Sequence, residues 1–174
     1  MQRHMMRTLV IAAAFLVSAC GFRPLHTAVN SAGVAAPLAN IALETTASDD
    51  SDDKRAAFLV RQSLESRLSD TAPEPRYRLR LTPAVSRSGL GVGRNDVASR
   101  FDYNMFVRYK LTDAASGEEL TDGRVYAVAT FGAPRDPYGR ISAEVSAAEQ
   151  AAEQAADRIL LDLATYFADP DSAE

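Results

Sequence analysis

The sequence contains one cysteine, two histidines and no tryptophan in its 174 residues. A lone cysteine, Cys20, excludes an internal disulfide framework and a zinc site built from several thiolates. Histidine is the usual base of nucleophilic triads and a frequent metal ligand, and both histidines, His4 and His26, lie close to the amino terminus. We therefore expect no catalytic residue, no metal site and no cofactor, and we do not expect an enzyme.

The amino-terminal residues have the three parts of a secretory signal. Residues 1–7 are basic, residues 9–17 are an unbroken apolar run, and two small residues precede Cys20. A helix of this apolar run would span about 14 Å, roughly half the hydrocarbon thickness of a bilayer, so a permanent transmembrane segment is not expected. Residues 1–19 are predicted to be a cleaved signal peptide.

Cys20 ends the sequence Leu-Val-Ser-Ala-Cys, which resembles the lipobox of bacterial lipoproteins. That resemblance implies that the chain is cut before Cys20 and that the cysteine carries acyl chains, palmitate among them. Several acyl chains, at about 0.8 kcal/mol per buried methylene, anchor a protein stably. Gly21 implies sorting to the outer membrane, where the domain would lie on the periplasmic side. The alternative is an ordinary secreted protein in which Cys20 is incidental.

The next segments predict a tether, a strand and a helix. Residues 20–38 are rich in small residues and are expected to be the lipidated amino terminus and its tether. Ile41 and Leu43 indicate a short first strand. Between residues 54 and 69, apolar side chains recur at spacings of three and four, which predicts an amphipathic helix. Its apolar stripe comprises Ala57, Val60, Leu64 and Leu68.

The middle of the chain changes to a period of two, which predicts three strands. The first begins at Tyr77, the second covers residues 101–111, and the third covers residues 125–131. Residues 113–117 end in glycine and are expected to form the turn between the second and third of these strands. Together the three strands would form an antiparallel meander with one apolar face.

An alanine-rich segment, residues 141–167, predicts a long helix that covers the apolar face of the sheet. Residues 169–174 are expected to be an acidic, frayed tail. The predicted fold class is α+β, a two-layer α/β sandwich in the order β-α-β-β-β-α, with two helices on one face of a four-stranded mixed sheet. Residues 39–168 would form this single domain. The stripe of the last helix comprises Ile141, Val145, Ala148, Ala152, Ala155, Ile159, Leu163 and Phe167.

Basic residues are concentrated in the middle of the chain, where residues 76–110 contain eight arginines or lysines and two acidic residues. Their alternation places most of them on the sheet face opposite the helices, where we expect an anion-binding surface; the alternative is an ordinary solvated face. Arg87 and Arg94 flank a glycine-rich segment, residues 88–93, that is expected to be a flexible hairpin tip. Arg100 opens the returning strand. Nucleic acid is not an expected partner of an exported lipoprotein.

Cys20 is followed at once by Gly-Phe-Arg-Pro-Leu, and Tyr109-x-Leu111-x-Asp113 leads into the predicted turn. With the lipobox, the order of elements and the alanine-rich last helix, these features resemble the LptE family of lipopolysaccharide-assembly lipoproteins in its alphaproteobacterial form. The resemblance implies a non-enzymatic component of the outer-membrane lipopolysaccharide translocon that plugs the LptD β-barrel, assists its assembly and binds lipopolysaccharide. Arg87, Arg94 and Arg100 are then the candidate lipopolysaccharide-binding residues, chosen from charge and position alone.

Two other functions remain open at this point. One is a different outer-membrane lipoprotein, such as the auxiliary lipoprotein of an ABC-type lipid transport system or an activator of a peptidoglycan synthase. The other is a periplasmic hydrolase that uses only carboxylates. Identification of the barrel or enzyme that binds the chain distinguishes the first, and a deep pocket lined by carboxylates would favour the second.

Overall fold

The chain folds in the order strand, helix, three strands, helix. The computed structural model describes residues 36–68, 74–92, 98–132, 134 and 136–168. The elements are β1 (Ile41–Thr45), α1 (Ser51–Glu65), β2 (Tyr77–Val92), β3 (Ala98–Asp113), β4 (Glu119–Gly132) and α2 (Pro137–Ala168). The sheet has the order β1-β2-β3-β4, in which β1 is parallel to β2 and the other neighbours are antiparallel. The predicted α+β fold and its element order are confirmed.

The core lies between the sheet and the two long helices. Odd-numbered side chains of the central strands, among them Leu79, Met105 and Val107, are fully buried beneath the helices. They meet Val60 and Leu64 of α1 and the apolar stripe of α2. Because side chains alternate along a strand, the even-numbered residues of β2, β3 and β4 point to the opposite face, which no helix covers in the described part of the chain.

Helix α1 begins at Ser51, within the acidic run of residues 49–53 and three residues before the predicted segment. The side chain of Asp50 accepts a hydrogen bond from the amide of Asp52 at 2.7 Å, which satisfies one of the unpaired amides of the first turn. All four residues of the predicted stripe are buried. The helix ends at Glu65, earlier than the predicted Ser69, but Leu68 remains in the core because its amide bonds the carbonyl of Leu64 at 2.8 Å.

Helix α2 begins at Pro137, four residues before the predicted start. Proline suits the first helical position, and the carboxylate of Asp136 accepts from the amide of Gly139 at 2.6 Å. The predicted stripe is buried from Ala148 to Leu163, but Ile141 is 59% exposed, so its assignment to the core is wrong. Ile141 borders a polar hollow rather than apolar sheet residues.

Strand β2 runs through the segment that was expected to be a flexible tip. It extends to Val92, and residues 88–90 and Val92 are paired with β3, so the expectation of a loose glycine-rich tip is wrong there. The carbonyl of Leu81 and the amide of Val85 both point away from β3, toward Thr46 and Asp53. Pro83 lies two residues from each of them, so its backbone nitrogen points the same way, to the edge of β2 that faces away from β3. The missing N–H therefore removes no hydrogen bond between β2 and β3.

The turn between β3 and β4 lies at the predicted residues. Gly117 adopts φ +73°, a conformation that favours glycine. The carboxylate of Asp113 accepts from the amides of Ala115 and Ser116, each at 2.9 Å. These hydrogen bonds to the charged form lower the pKa of the Asp113 carboxyl. The turn, together with a bulge next to Leu111, sets the register of β4 against β3.

Candidate ligand-binding face of the sheet

The sheet face opposite the helices, called the open face below, is organised in cross-strand rows of one residue each from β2, β3 and β4. Successive rows change in chemical character along the strands. From the end near α2's amino terminus to the end near the β3–β4 turn, the rows are Leu90–Arg100–Gly132, Ser88–Asp102–Thr130, Ser86–Asn104–Val128, Ala84–Phe106–Tyr126, Thr82–Arg108–Arg124, Arg80–Lys110–Asp122 and Arg78–Thr112–Glu119.

Most basic side chains nearest the β3–β4 turn have a carboxylate partner. Arg80 lies 3.2 Å from Glu44 of β1, and Lys110 lies 2.6 Å from Glu119 of β4. These side chains are about half exposed, so each ion pair contributes little to stability. Their positive charge is locally balanced.

Arg108 and Arg124 differ from these neighbours. They lie directly opposite each other on β3 and β4, and both are exposed. Among the described residues, no carboxylate lies within 4.0 Å of either guanidinium. Like charges that are directly opposite across strands destabilise a sheet, so this pair adds unbalanced positive charge at a cost to the fold.

An aromatic pair occupies the next row. The rings of Phe106 and Tyr126 have centroids 4.5 Å apart, and the two side chains are 50% and 42% exposed. The Tyr126 hydroxyl donates to the side-chain oxygen of Asn104 at 2.6 Å, and the amide of Asn104 donates to the hydroxyl of Ser88 at 3.1 Å. These hydrogen bonds link Tyr126 of β4 to Asn104 of β3 and Ser88 of β2.

Two shallow hollows meet at the arginine pair. One, of about 540 Å³, is lined by residues of mainly charged or polar type, which include Arg80, Lys110 and Asp122. The other, of about 520 Å³, is lined by Ala84, Phe106 and Tyr126 among others. Both hollows share Thr82, Arg108 and Arg124. The arginine pair therefore lies at the boundary between a more polar and a more apolar part of one surface.

The structure places Arg87 on the helix side of the sheet. It pairs with Asp52 of α1 at 2.9 Å and with Glu144 of α2, so it bridges the two helices. Burial lowers the pKa of the Arg87 guanidinium, but the carboxylates of Glu144 and Asp52 outweigh burial and the net pKa is raised. Arg87 therefore contributes to the packing of the helices and does not lie on the open face.

Of the other three predicted site residues, the structure describes one. Arg100 is exposed on the open face, in the row with Leu90 and Gly132. Arg94 and Cys20 lie outside the described residues. Of the three candidate arginines, Arg100 is thus the one that the structure shows on the predicted surface.

The Arg108–Arg124 pair was not predicted because Arg124 lies outside the basic segment of residues 76–110. A signal for it exists in the sequence: a hairpin whose turn is residues 113–117 brings residues before and after that turn into register. Arg108 and Arg124 have the same parity and are nearly equidistant from the turn. A bulge next to Leu111 shifts the register of β3 and β4 by one residue, so the partner of Arg108 could be assigned only from the structure.

Among the described residues, no group of three or more histidine, cysteine, aspartate or glutamate side chains is placed to hold a metal ion. None of the described helices combines the length and the apolar composition needed to cross a bilayer.

Comparison with protein-family models gives a match over residues 38–163 to the model described as LptE, lipopolysaccharide-assembly. The matched range covers most of the chain. The chain belongs to the LptE family. LptE proteins are non-catalytic lipoproteins of lipopolysaccharide assembly, and the resemblance inferred from the sequence is confirmed at this level.

Solved structures agree with the LptE assignment. A lipoprotein from Caulobacter crescentus is 36% identical, covers 79% of this chain and 96% of its own length, and superposes with a TM-score of 0.62. Rare lipoprotein B from Shewanella oneidensis is 24% identical over 75% of this chain and 98% of its own, with a TM-score of 0.52, which shows the shared fold. Comparison with curated protein sequences gave no significant match.

Proposed function

We propose that this LptE-family protein is the lipoprotein component of the outer-membrane lipopolysaccharide translocon. Acyl chains on Cys20 anchor it on the periplasmic side of the outer membrane. It sits as a plug inside an LptD-type β-barrel, assists assembly of that barrel, and binds lipopolysaccharide during insertion into the outer leaflet. The match to the LptE model over residues 38–163 carries this proposal.

The open face supports a role in binding lipopolysaccharide. It is uncovered in the described chain and carries five exposed basic side chains, Arg78, Arg80, Arg100, Arg108 and Lys110, from the basic segment identified in the sequence. Arginine holds phosphate and carboxylate groups through paired hydrogen bonds, and lipopolysaccharide carries such anions. Arg94 and Arg100 remain the proposed contacts at the hairpin end of the sheet. Arg87 would have to leave Asp52 and Glu144 to join them.

The test of this function is purification of the tagged, full-length chain from a Gram-negative cell that carries the matching barrel. LptD and lipopolysaccharide are expected to copurify with it in detergent. Depletion of the chain is expected to lower the amount of assembled barrel and of lipopolysaccharide at the cell surface. Copurification with an ABC-type lipid transporter or a peptidoglycan synthase, and without LptD, would contradict the proposal.

The lipid anchor leads to a separate prediction. Cys20→Ala removes the thiol that would be acylated, so the exported protein is expected to move from the membrane to the soluble periplasmic fraction. Thr27→Ala, seven residues further along the predicted tether, serves as the control and should remain with the membrane. Mass spectrometry of the native amino terminus checks the same point, because an unmodified Cys20 or a cut at another residue contradicts the lipoprotein assignment.

A further inference from the structure

We propose that Arg108 and Arg124 form a phosphate-binding site on the open face and that the neighbouring Phe106 and Tyr126 hold the acyl part of the same ligand. The ligand class is a phosphorylated, acylated glycolipid. The inference rests on the proposed function to the extent that this glycolipid is lipopolysaccharide. The site lies in the middle of the sheet, four rows from the predicted contact at Arg100.

The first argument is the unbalanced charge of the pair. Arg80 and Lys110, in the adjacent row, each have a carboxylate within 3.2 Å, whereas Arg108 and Arg124 have none among the described residues. Two guanidiniums that face each other across strands repel each other, and an anion placed between them turns that repulsion into attraction on both sides. A bound phosphate would therefore stabilise the sheet as well as the ligand.

The second argument is the match between guanidinium and phosphate. Each guanidinium is planar and presents several N–H donors in a fixed fork, and phosphate offers enough oxygens for two such forks. Thr82 lies in the same row and lines both hollows, which adds a hydroxyl donor beside the arginines.

The third argument is the order of polar and apolar groups along the strands. The arginine pair lies where the polar hollow meets the hollow lined by Ala84, Phe106 and Tyr126. A phosphorylated glycolipid has its phosphates at the same kind of boundary, between sugars and acyl chains. An acidic protein segment would match the arginines but would leave the half-exposed Phe106 unused. The open face therefore favours the glycolipid over a peptide.

The experiment compares two double variants of the full-length protein. Arg108→Gln with Arg124→Gln removes the pair, and Arg61→Gln with Arg158→Gln removes the same charge from exposed positions on the helices. Binding of purified lipopolysaccharide, measured by displacement of a fluorescent lipid A probe in detergent, is expected to weaken at least tenfold in the first variant. In the control it should stay within about twofold of the wild type. Loss of charge-assisted hydrogen bonds is the reason for the difference.

A second measurement separates loss of binding from loss of folding. The ligand-free Arg108→Gln, Arg124→Gln variant is expected to unfold at the same temperature as the wild type or higher, because a like-charge contact has been removed. Lipopolysaccharide should raise the unfolding temperature of the wild type and leave that of the variant unchanged. An equal rise in both proteins would overturn the proposal.

Modified probes test the two halves of the site. Dephosphorylated lipopolysaccharide should bind the wild type as weakly as intact lipopolysaccharide binds the arginine variant. Phe106→Thr should weaken binding of the intact molecule but leave binding of the deacylated, phosphorylated saccharide unchanged. Equal weakening of both probes by Phe106→Thr would contradict the assignment of the aromatic row to acyl chains.

The remaining outcomes distinguish this proposal from the function on which it rests. If the arginine variant binds lipopolysaccharide normally but loses LptD, the pair contacts the barrel and the ligand site is wrong. If the Arg108→Gln, Arg124→Gln variant binds lipopolysaccharide normally but an Arg94→Gln, Arg100→Gln variant does not, the translocon function stands and this site is wrong. If the helix control weakens as much as the arginine variant, binding follows overall charge and the site is again wrong. If the wild type binds no lipopolysaccharide at all, both the site and the proposed lipid binding fail.

Discussion

Replacing Ala152 by arginine is expected to destabilise the domain by about 3 kcal/mol or more and to lower its unfolding temperature by roughly 10 °C. Ala152 is fully buried between α2 and the sheet, beside Ala151, Ala155 and Ala156. These small side chains let the helix lie close to the strands, so no space exists for a guanidinium. Burial of its charge without a carboxylate partner adds to the cost. Thermal and urea unfolding measure the effect.

Glu153→Arg is the matched control for this prediction. Glu153 is the next residue of the same helix and is exposed, so the same side chain introduced there should change the free energy of unfolding by about 0.5 kcal/mol or less. Similar losses of stability in the two variants would show that the face of α2 against the sheet has been assigned incorrectly. A silent Ala152→Arg variant would lead to the same conclusion.

Gly123→Ala is expected to destabilise the domain by about 2–4 kcal/mol, although it adds one methyl group in a strand. A Cβ at Gly123 would lie within 2.9 Å of three atoms of the Tyr109 side chain, which crosses the glycine directly. The Tyr109 hydroxyl donates to the carboxylate of Asp162 in α2 at 3.0 Å, so the ring links the sheet to the helix. The expected loss combines about 1–3 kcal/mol of overpacking with about 1 kcal/mol for a weakened hydrogen bond.

Gly132→Ala provides the control on the same strand. An added Cβ at Gly132 meets no atom within 4 Å, so its effect should be small. Burial raises the pKa of the Tyr109 hydroxyl, and the hydrogen bond to Asp162 raises it further. Gly123→Ala is therefore also expected to lower the pH at which Tyr109 ionises, as followed by its ultraviolet absorbance. Equal stability of the two alanine variants would contradict the proposed role of the ring.

Local patterns in the sequence were sufficient for the architecture. The three- and four-residue spacing of Ala57, Val60 and Leu64 admits one regular structure that buries these side chains on one side. The alternation from Phe101 to Leu111 does the same for its odd-numbered side chains, and Phe106 is the apolar exception on the other face. Gly117, at the end of the short turn of residues 113–117, then favours a hairpin between the two strands. These signals act over a few residues, so a helix or strand can be inferred before its neighbours are known.

The extent of β2 was harder to predict because several of its residues disfavour a strand. Pro83, Gly89 and Gly91 are poor strand residues, and together they favour a turn or a flexible tip over a strand. The structure overrides that preference because β3 offers a partner along the whole length and Pro83 directs its missing donor to the open edge. Once β2 is known to continue, the parity of Arg87 places it with Leu79 and Leu81, on the helix side.

The sequence by itself determined the fold class, the order and hydrophobic faces of the elements, and the presence of a strongly basic sheet. Only the tertiary structure decided which basic residues are neutralised and which remain available. Arg87 finds Asp52 and Glu144 on two helices that are far apart in the chain, whereas Arg108 faces another arginine, Arg124. The physical reason is that hydrophobic periodicity acts along one element, while the neighbour of a charged group depends on strand register and helix docking between elements.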